Sequence, residues 1–152
     1  VVLFAAAIAV AGAGCGRGPR VDRFAVEVAA QHREADRRLD AGDVEGARAA
    51  LLALVEARSS RAPAARGDRL ALQDTYFRLA ELALAGHDAR GALAYADAGL
   101  AYGDAPHLFV ANLFVVRGAA REALGEPRAA VEDYHRALVM NEALLQQATG
   151  AP

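Results

Sequence analysis

The side chains able to do chemistry in this chain are few, and their spacing suits none of the common reactions. His32, His87, His107 and His135 form no i, i+4 pair, and no His-Glu-x-x-His is present. Glu132 and His135 make one Glu-x-x-His, a carboxylate and an imidazole on one face of a helical turn. Di-iron bundles need that pair twice, on separate helices, so a solvated helix face is the better reading. Cys15 is the single cysteine, which excludes a zinc knuckle and an internal disulfide. Ser59 and Ser60 are the only serines and stand outside any Gly-x-Ser-x-Gly elbow. All 17 basic residues are arginines, which removes both a Schiff-base lysine and a Gly-Lys-Ser/Thr phosphate loop. The acidic residues fall at helix starts and on polar faces, their ordinary place. No catalytic residue, metal ligand or cofactor is expected, and the chain reads as a non-enzyme.

The elements that carry these residues read as helices throughout. The chain has 152 residues, 55% hydrophobic and 24% charged, with five prolines. That is enough for one compact domain and too little for two sizeable ones. A net charge of −2 gives no electrostatic footprint for nucleic acid. Apolar residues recur at helical spacing over about 21–41 (Val21, Phe24, Val28, Ala35 and Leu39, with His32 interrupting) and 44–58 (Val44, Ala47, Leu51, Leu54 and Val55). They recur again over about 69–85 (Leu72, Tyr76, Leu79, Ala80 and Ala83), 89–102, from about 107 to the turn at Gly125, and 127–148 (Val131, Tyr134, Leu138 and Leu145). Asp43, Asp68, Asp88 and Asp104 read as caps, Pro106 and Pro127 as early-turn prolines, and 59–68 as the one clear loop. No segment has the sustained alternation of a strand. Three glycine turns, at Gly42, Gly86 and Gly125, lie 44 and 39 residues apart, and each closes one helix and opens another. That is the period of a helical repeat.

The last unit resembles the tetratricopeptide repeat most closely. Phe114, Gly118, Leu124, Gly125, Ala130, Tyr134 and Ala137 stand at the spacing at which that family places a bulky residue, a small residue, a Leu-Gly turn, alanine, an aromatic and alanine. Gly118 and Ala130 would let two helices approach closely, to about 8–10 Å. Arg117 and Arg121 depart from the family, which commonly has leucine and an aromatic there, and Glu142 stands where proline usually closes the repeat. In the middle unit Tyr76, Leu79, Ala80 and Ala83 fit the leading helix, but the turn reads as one residue too long. Either Gly91, Tyr95 and Ala98 or Ala92, Ala96 and Gly99 then take the second-helix positions. The first unit matches at Gly42, Ala47 and Leu51 only. The resemblance spans about 25–145 and implies an all-α fold: three antiparallel helix pairs stacked as a short right-handed solenoid of tetratricopeptide type. An irregular six-helix bundle is the alternative. In that family the leading helices line a concave groove for an extended peptide or a partner helix. Carried over, the groove would hold Asp74, Phe77, Glu81, Asn112, Val115 and Glu122, a mildly acidic surface suited to a basic and apolar segment.

The N-terminus points to a location. Residues 1–14 carry no charged or polar side chain, and about 20 such residues are needed to span a bilayer. The run matches the apolar core of a secretory signal. Ala13, Gly14 and Cys15 resemble the lipobox of bacterial lipoproteins, in which the signal is cut before the cysteine and its thiol carries a diacylglycerol. Gly12 replaces the usual leucine, and a positive n-region is missing. A conventional signal cut after Ala13 is the alternative. The expected organisation is a signal peptide at 1–14, a short tether at 15–20 and a helical domain at 21–149. Arg17, Arg20 and Arg23 would lie near anionic headgroups. Gly16 rather than aspartate after the cysteine favours, by the same resemblance, the outer membrane facing the periplasm. The functional expectation is a membrane-tethered adaptor that binds another envelope protein. The alternative is a structural envelope lipoprotein that self-associates without a peptide groove, or a secreted form of either.

Overall fold

The computed structural model describes residues 23–59 and 66–150. The expectations for the signal, Cys15, the tether and Val21, and for most of the 59–68 loop, lie outside those residues. The described residues form six helices and no strand: α1 (Arg23–Asp40), α2 (Val44–Ser59), α3 (Arg66–Ala85), α4 (Ala89–Leu100), α5 (Leu108–Ala123) and α6 (Pro127–Thr149). The fold is all-α. Helices α1 and α2, α3 and α4, and α5 and α6 pack as pairs, and each pair touches only its neighbours in sequence. Helix α3 packs on both α1 and α2, and α5 on both α3 and α4.

Three turns of one geometry set the register. Gly42, His87 and Gly125 all have left-handed backbone, with φ of 77°, 60° and 79°. The N–H of each bonds the carbonyl three residues back, to Leu39, Leu84 and Glu122. The next N–H, of Asp43, Asp88 and Glu126, bonds the carbonyl five back, to Arg38, Ala83 and Arg121. This closure satisfies carbonyls that the end of a helix leaves unpaired. Asp43 and Asp88 then accept the N–H of Gly46 and Gly91 at 2.9 and 2.8 Å, which caps the following helix. The middle turn is therefore centred on His87, not on Gly86, and the true spacings are 45 residues from 42 to 87 and 38 from 87 to 125. In that register the turn of the middle unit has no extra residue. Ala35, Ala80 and Gly118 are equivalent, as are Ala47, Ala92 and Ala130, and all six are buried. Of the two alternatives for α4, the buried set is Ala92, Ala96 and Gly99.

Several boundary and burial expectations are corrected. Asp68 does not cap α3. The helix starts at Arg66, and the Asp68 carboxylate, inside the first turn, accepts from Arg58 Nη2 at 2.6 Å. Asp104 and Pro106 precede α5 rather than start it. His107 is extended at φ −158°, and its ring caps the helix by accepting from Phe109 N–H at 3.3 Å. Val44, the first residue of α2, is exposed, as is Leu39. Val131, Leu138 and Leu145 do not join the core: they are 65%, 56% and 64% exposed. Among the described residues α6 packs on α5 alone, so it buries the face carrying Ala130, Asp133 and Ala137 and leaves the other apolar row outside.

Candidate functional site

The leading helices α1, α3 and α5 lie side by side, and two shallow clefts run between them. The α3/α5 cleft, about 310 Å³, is lined by Phe77, Glu81, Leu84, Asn112, Val115 and Val116. The α1/α3 cleft, about 260 Å³, is lined by residues that include Asp36, Leu39, Arg78 and Glu81. Glu81 is common to both. Its carboxyl titrates above the usual range, first because it is partly desolvated and further because Asp74 is close, although Arg78 pulls the other way.

Four of the six expected groove residues, Phe77, Glu81, Asn112 and Val115, come together in the α3/α5 cleft. Asp74 and Glu122 do not line it. Asp74 turns towards α1, where its Oδ2 lies 3.3 Å from His32 Nδ1 and 3.6 Å from Arg78 Nε. Glu122 accepts from the Tyr134 hydroxyl at 3.0 Å. The net acidity expected of the groove is thereby reduced to Glu81, together with Asp36 in the neighbouring cleft, and Asp36 accepts from Arg78 at 2.8 Å.

His32, which breaks the apolar face of α1, is buried rather than solvated. Its Nε2 lies 2.9 Å from Thr75 Oγ1, and that hydroxyl is 2.8 Å from the Ala71 carbonyl. With one proton, on Nδ1, the ring donates to Asp74 and accepts from Thr75. With two protons it donates to both, and the Thr75 hydroxyl turns to Ala71. Burial, and then Arg78, lower the His32 pKa, while Asp74 and Asp36 raise it; the net direction is down.

The framework behind the α3/α5 cleft depends on two contacts absent from the sequence reading. At Gly99 an added Cβ would lie 2.8 Å from both δ-methyls of Leu113 and 3.0 Å from Tyr76 Cβ. The missing side chain is what lets α5 dock on α4. The second contact is ionic. Asp133, 1% exposed on α6, accepts from Arg117 Nε and Nη2 at 2.9 and 2.6 Å and from Arg121 Nη1 at 2.8 Å. Arg117 Nη1 also donates to Asp97 on α4 at 2.8 Å, so one guanidinium ties α4, α5 and α6 together. Burial works against the Arg117 charge, but Asp133 and Asp97 outweigh it and hold its pKa above the ordinary value. The two arginines that depart from the tetratricopeptide pattern thus have a partner, and it is Asp133.

No family model matches the chain, and neither does any curated protein. Among the described residues no group of three or more His, Cys, Asp or Glu side chains is placed to hold a metal ion. No described helix is long and apolar enough to cross a membrane.

Proposed function

We propose that the chain is a protein-binding adaptor of tetratricopeptide type, held at a bacterial membrane by a lipid on Cys15. Its partner would be another cell-envelope protein, bound through a segment laid across α3 and α5 during assembly or localisation of a larger complex. The observation that carries this reading is the convergence of Phe77, Glu81, Asn112 and Val115 from two helix pairs on one open cleft. Phe77, Leu84 and Val115 suit an apolar side chain, Asn112 offers an amide to an extended backbone, and Glu81 would gain from a cation that relieves its partly desolvated carboxylate. The location rests on the Ala13-Gly14-Cys15 sequence and the apolar residues before it.

Crosslinking in native cells, followed by identification of what is captured, tests the adaptor reading. Phe77→Ala with Asn112→Ala should abolish the major crosslink while circular dichroism stays unchanged. A crosslink that survives the double substitution would sink the groove reading. Cys15→Ser should release the protein from the membrane fraction and remove the mass of the lipid; an unaltered, membrane-bound product would end the lipoprotein reading.

A further inference from the structure

The two ends of the described helix stack present different surfaces. In the middle pair, Phe77, Leu93 and Leu100 are half-buried because α5 packs over them. Of their equivalents in the last pair, 38 residues on, Val115 borders the α3/α5 cleft, while Val131 and Leu138 on α6 stand exposed outside it, as does Leu145 beyond them. An apolar row of this kind marks a contact surface rather than a solvated face. At the other end the exposed face of α1 is charged in its second half, with Arg33, Arg37 and Asp40, and carries Val26 in its first. Head-to-tail stacking of copies would bury those charges against the apolar row.

We propose that this end of the stack is an interface with a second copy of the same chain, α6 packing antiparallel on α6 about a two-fold axis at Leu138. The row fits that operation. Val131, Leu138 and Leu145 recur every seven residues over about 21 Å of helix, so Leu138 meets its own copy and Val131 meets Leu145 of the other. The flanking polar groups also match, a carboxylate that accepts and an imidazole that donates. Glu142 and His135 lie on the same side of the row, and antiparallel pairing places each beside the other in the second copy. The interface is isologous and closes at two. It is independent of the α3/α5 cleft, and either reading can fail without the other.

The test is a set of full-length proteins carrying Cys15→Ser, so that no native cysteine competes with those introduced. Static light scattering should show a reversible, concentration-dependent rise from the 15.8 kDa chain to twice that mass and no further. Leu138→Glu should stay at the single-chain mass with unchanged circular dichroism, and Phe77→Ala with Asn112→Ala should still double. Under mild oxidation Leu138→Cys should form a disulfide-linked dimer, Val131→Cys alone should not, and Val131→Cys with Leu145→Cys should. A single-chain mass at all concentrations, growth past two copies, or association that persists in Leu138→Glu would each overturn the proposal.

Discussion

Removing the Asp133 carboxylate should be the most damaging single change in the described fold. The side chain is almost fully enclosed and accepts three hydrogen bonds from two guanidinium groups. In Asp133→Ala, Arg117 and Arg121 are left close together without their shared anion, Arg117 retaining only Asp97, itself half exposed. Breaking a buried pair on one side costs about 3–5 kcal/mol, because the remaining charge is uncompensated. That is a large part of the roughly 5–15 kcal/mol that holds a domain together. It corresponds to a fall in Tm of about 10 °C or more. The same physics makes a second variant informative. The middle pair has Leu79, Ala83 and Tyr95 at the positions of Arg117, Arg121 and Asp133, and packs them without charge. Arg117→Leu, Arg121→Ala and Asp133→Tyr together should therefore recover most of the loss, to within about 1–2 kcal/mol of the parent, since apolar replacement of a whole buried network is often neutral. Urea unfolding followed by circular dichroism measures both. A cost below about 1 kcal/mol for Asp133→Ala, or a triple variant worse than the single one, would refute the argument that the carboxylate acts by neutralising the two arginines.

Three further outcomes follow from single residues. His87 holds left-handed backbone that costs a residue with a Cβ about 1–2 kcal/mol; His87→Gly relieves this, less about 0.4–1 kcal/mol for the freer unfolded chain, and should raise Tm by a few degrees, whereas Gly42→Ala should lower it. Gly99→Ala should destabilise by about 1 kcal/mol, because the gain of about 1 from helix propensity is smaller than the strain of forcing a methyl against Leu113 and Tyr76; a more stable variant would show that Leu113 yields freely. For His32 the folded pKa lies below the unfolded 6.5, so its contribution to stability is complete above pH 6.5 and is lost as pH falls below that value towards the folded pKa. Unfolding midpoints between pH 8 and 5 should show this decline in the parent and a flatter profile in His32→Gln, and a parent that gains stability on acidification would mean that Asp74 dominates the ring.

Helix periodicity made the six elements legible because each helix alternates apolar and polar faces at one period. The limits came where a residue's role depends on another chain segment. Gly86 looks like the turn residue because glycine favours left-handed backbone, yet His87 occupies that conformation. The signal that could have found it was the count from Ala80, seven residues, the same as from Ala35 to Gly42 and from Gly118 to Gly125. Arg117 and Arg121 looked like departures from an apolar pattern, and only the fold shows that both reach Asp133. At Gly118 the sequence shows a small residue suited to close helix approach, but not what fills the space: an added Cβ would lie 2.7 Å from the Tyr134 ring of α6. Of the groove residues, Phe77 and Val115 were legible because they are equivalent positions in successive leading helices. Asp74 was not, because its partner His32 lies 42 residues earlier in the chain.

The cleft belongs to no single helix pair, and that bears on how binding can be tuned. Phe77 and Glu81 come from one pair, Asn112 and Val115 from the next, so the width between them is set by how closely α5 docks on α3 and α4. That docking depends on Gly99, which admits Leu113, and on Arg117, which fastens α5 to Asp97 of α4. None of these four lines the α3/α5 cleft. A change there should alter the grip on a partner without touching it, whereas Asp43 or Asp88, which cap helices within a pair, should affect stability and leave the cleft width alone. Comparing partner crosslinking in Gly99→Ala and Asp88→Ala at matched loss of stability separates the two. Equal losses of binding would mean that the partner senses overall stability rather than the spacing of the two leading helices.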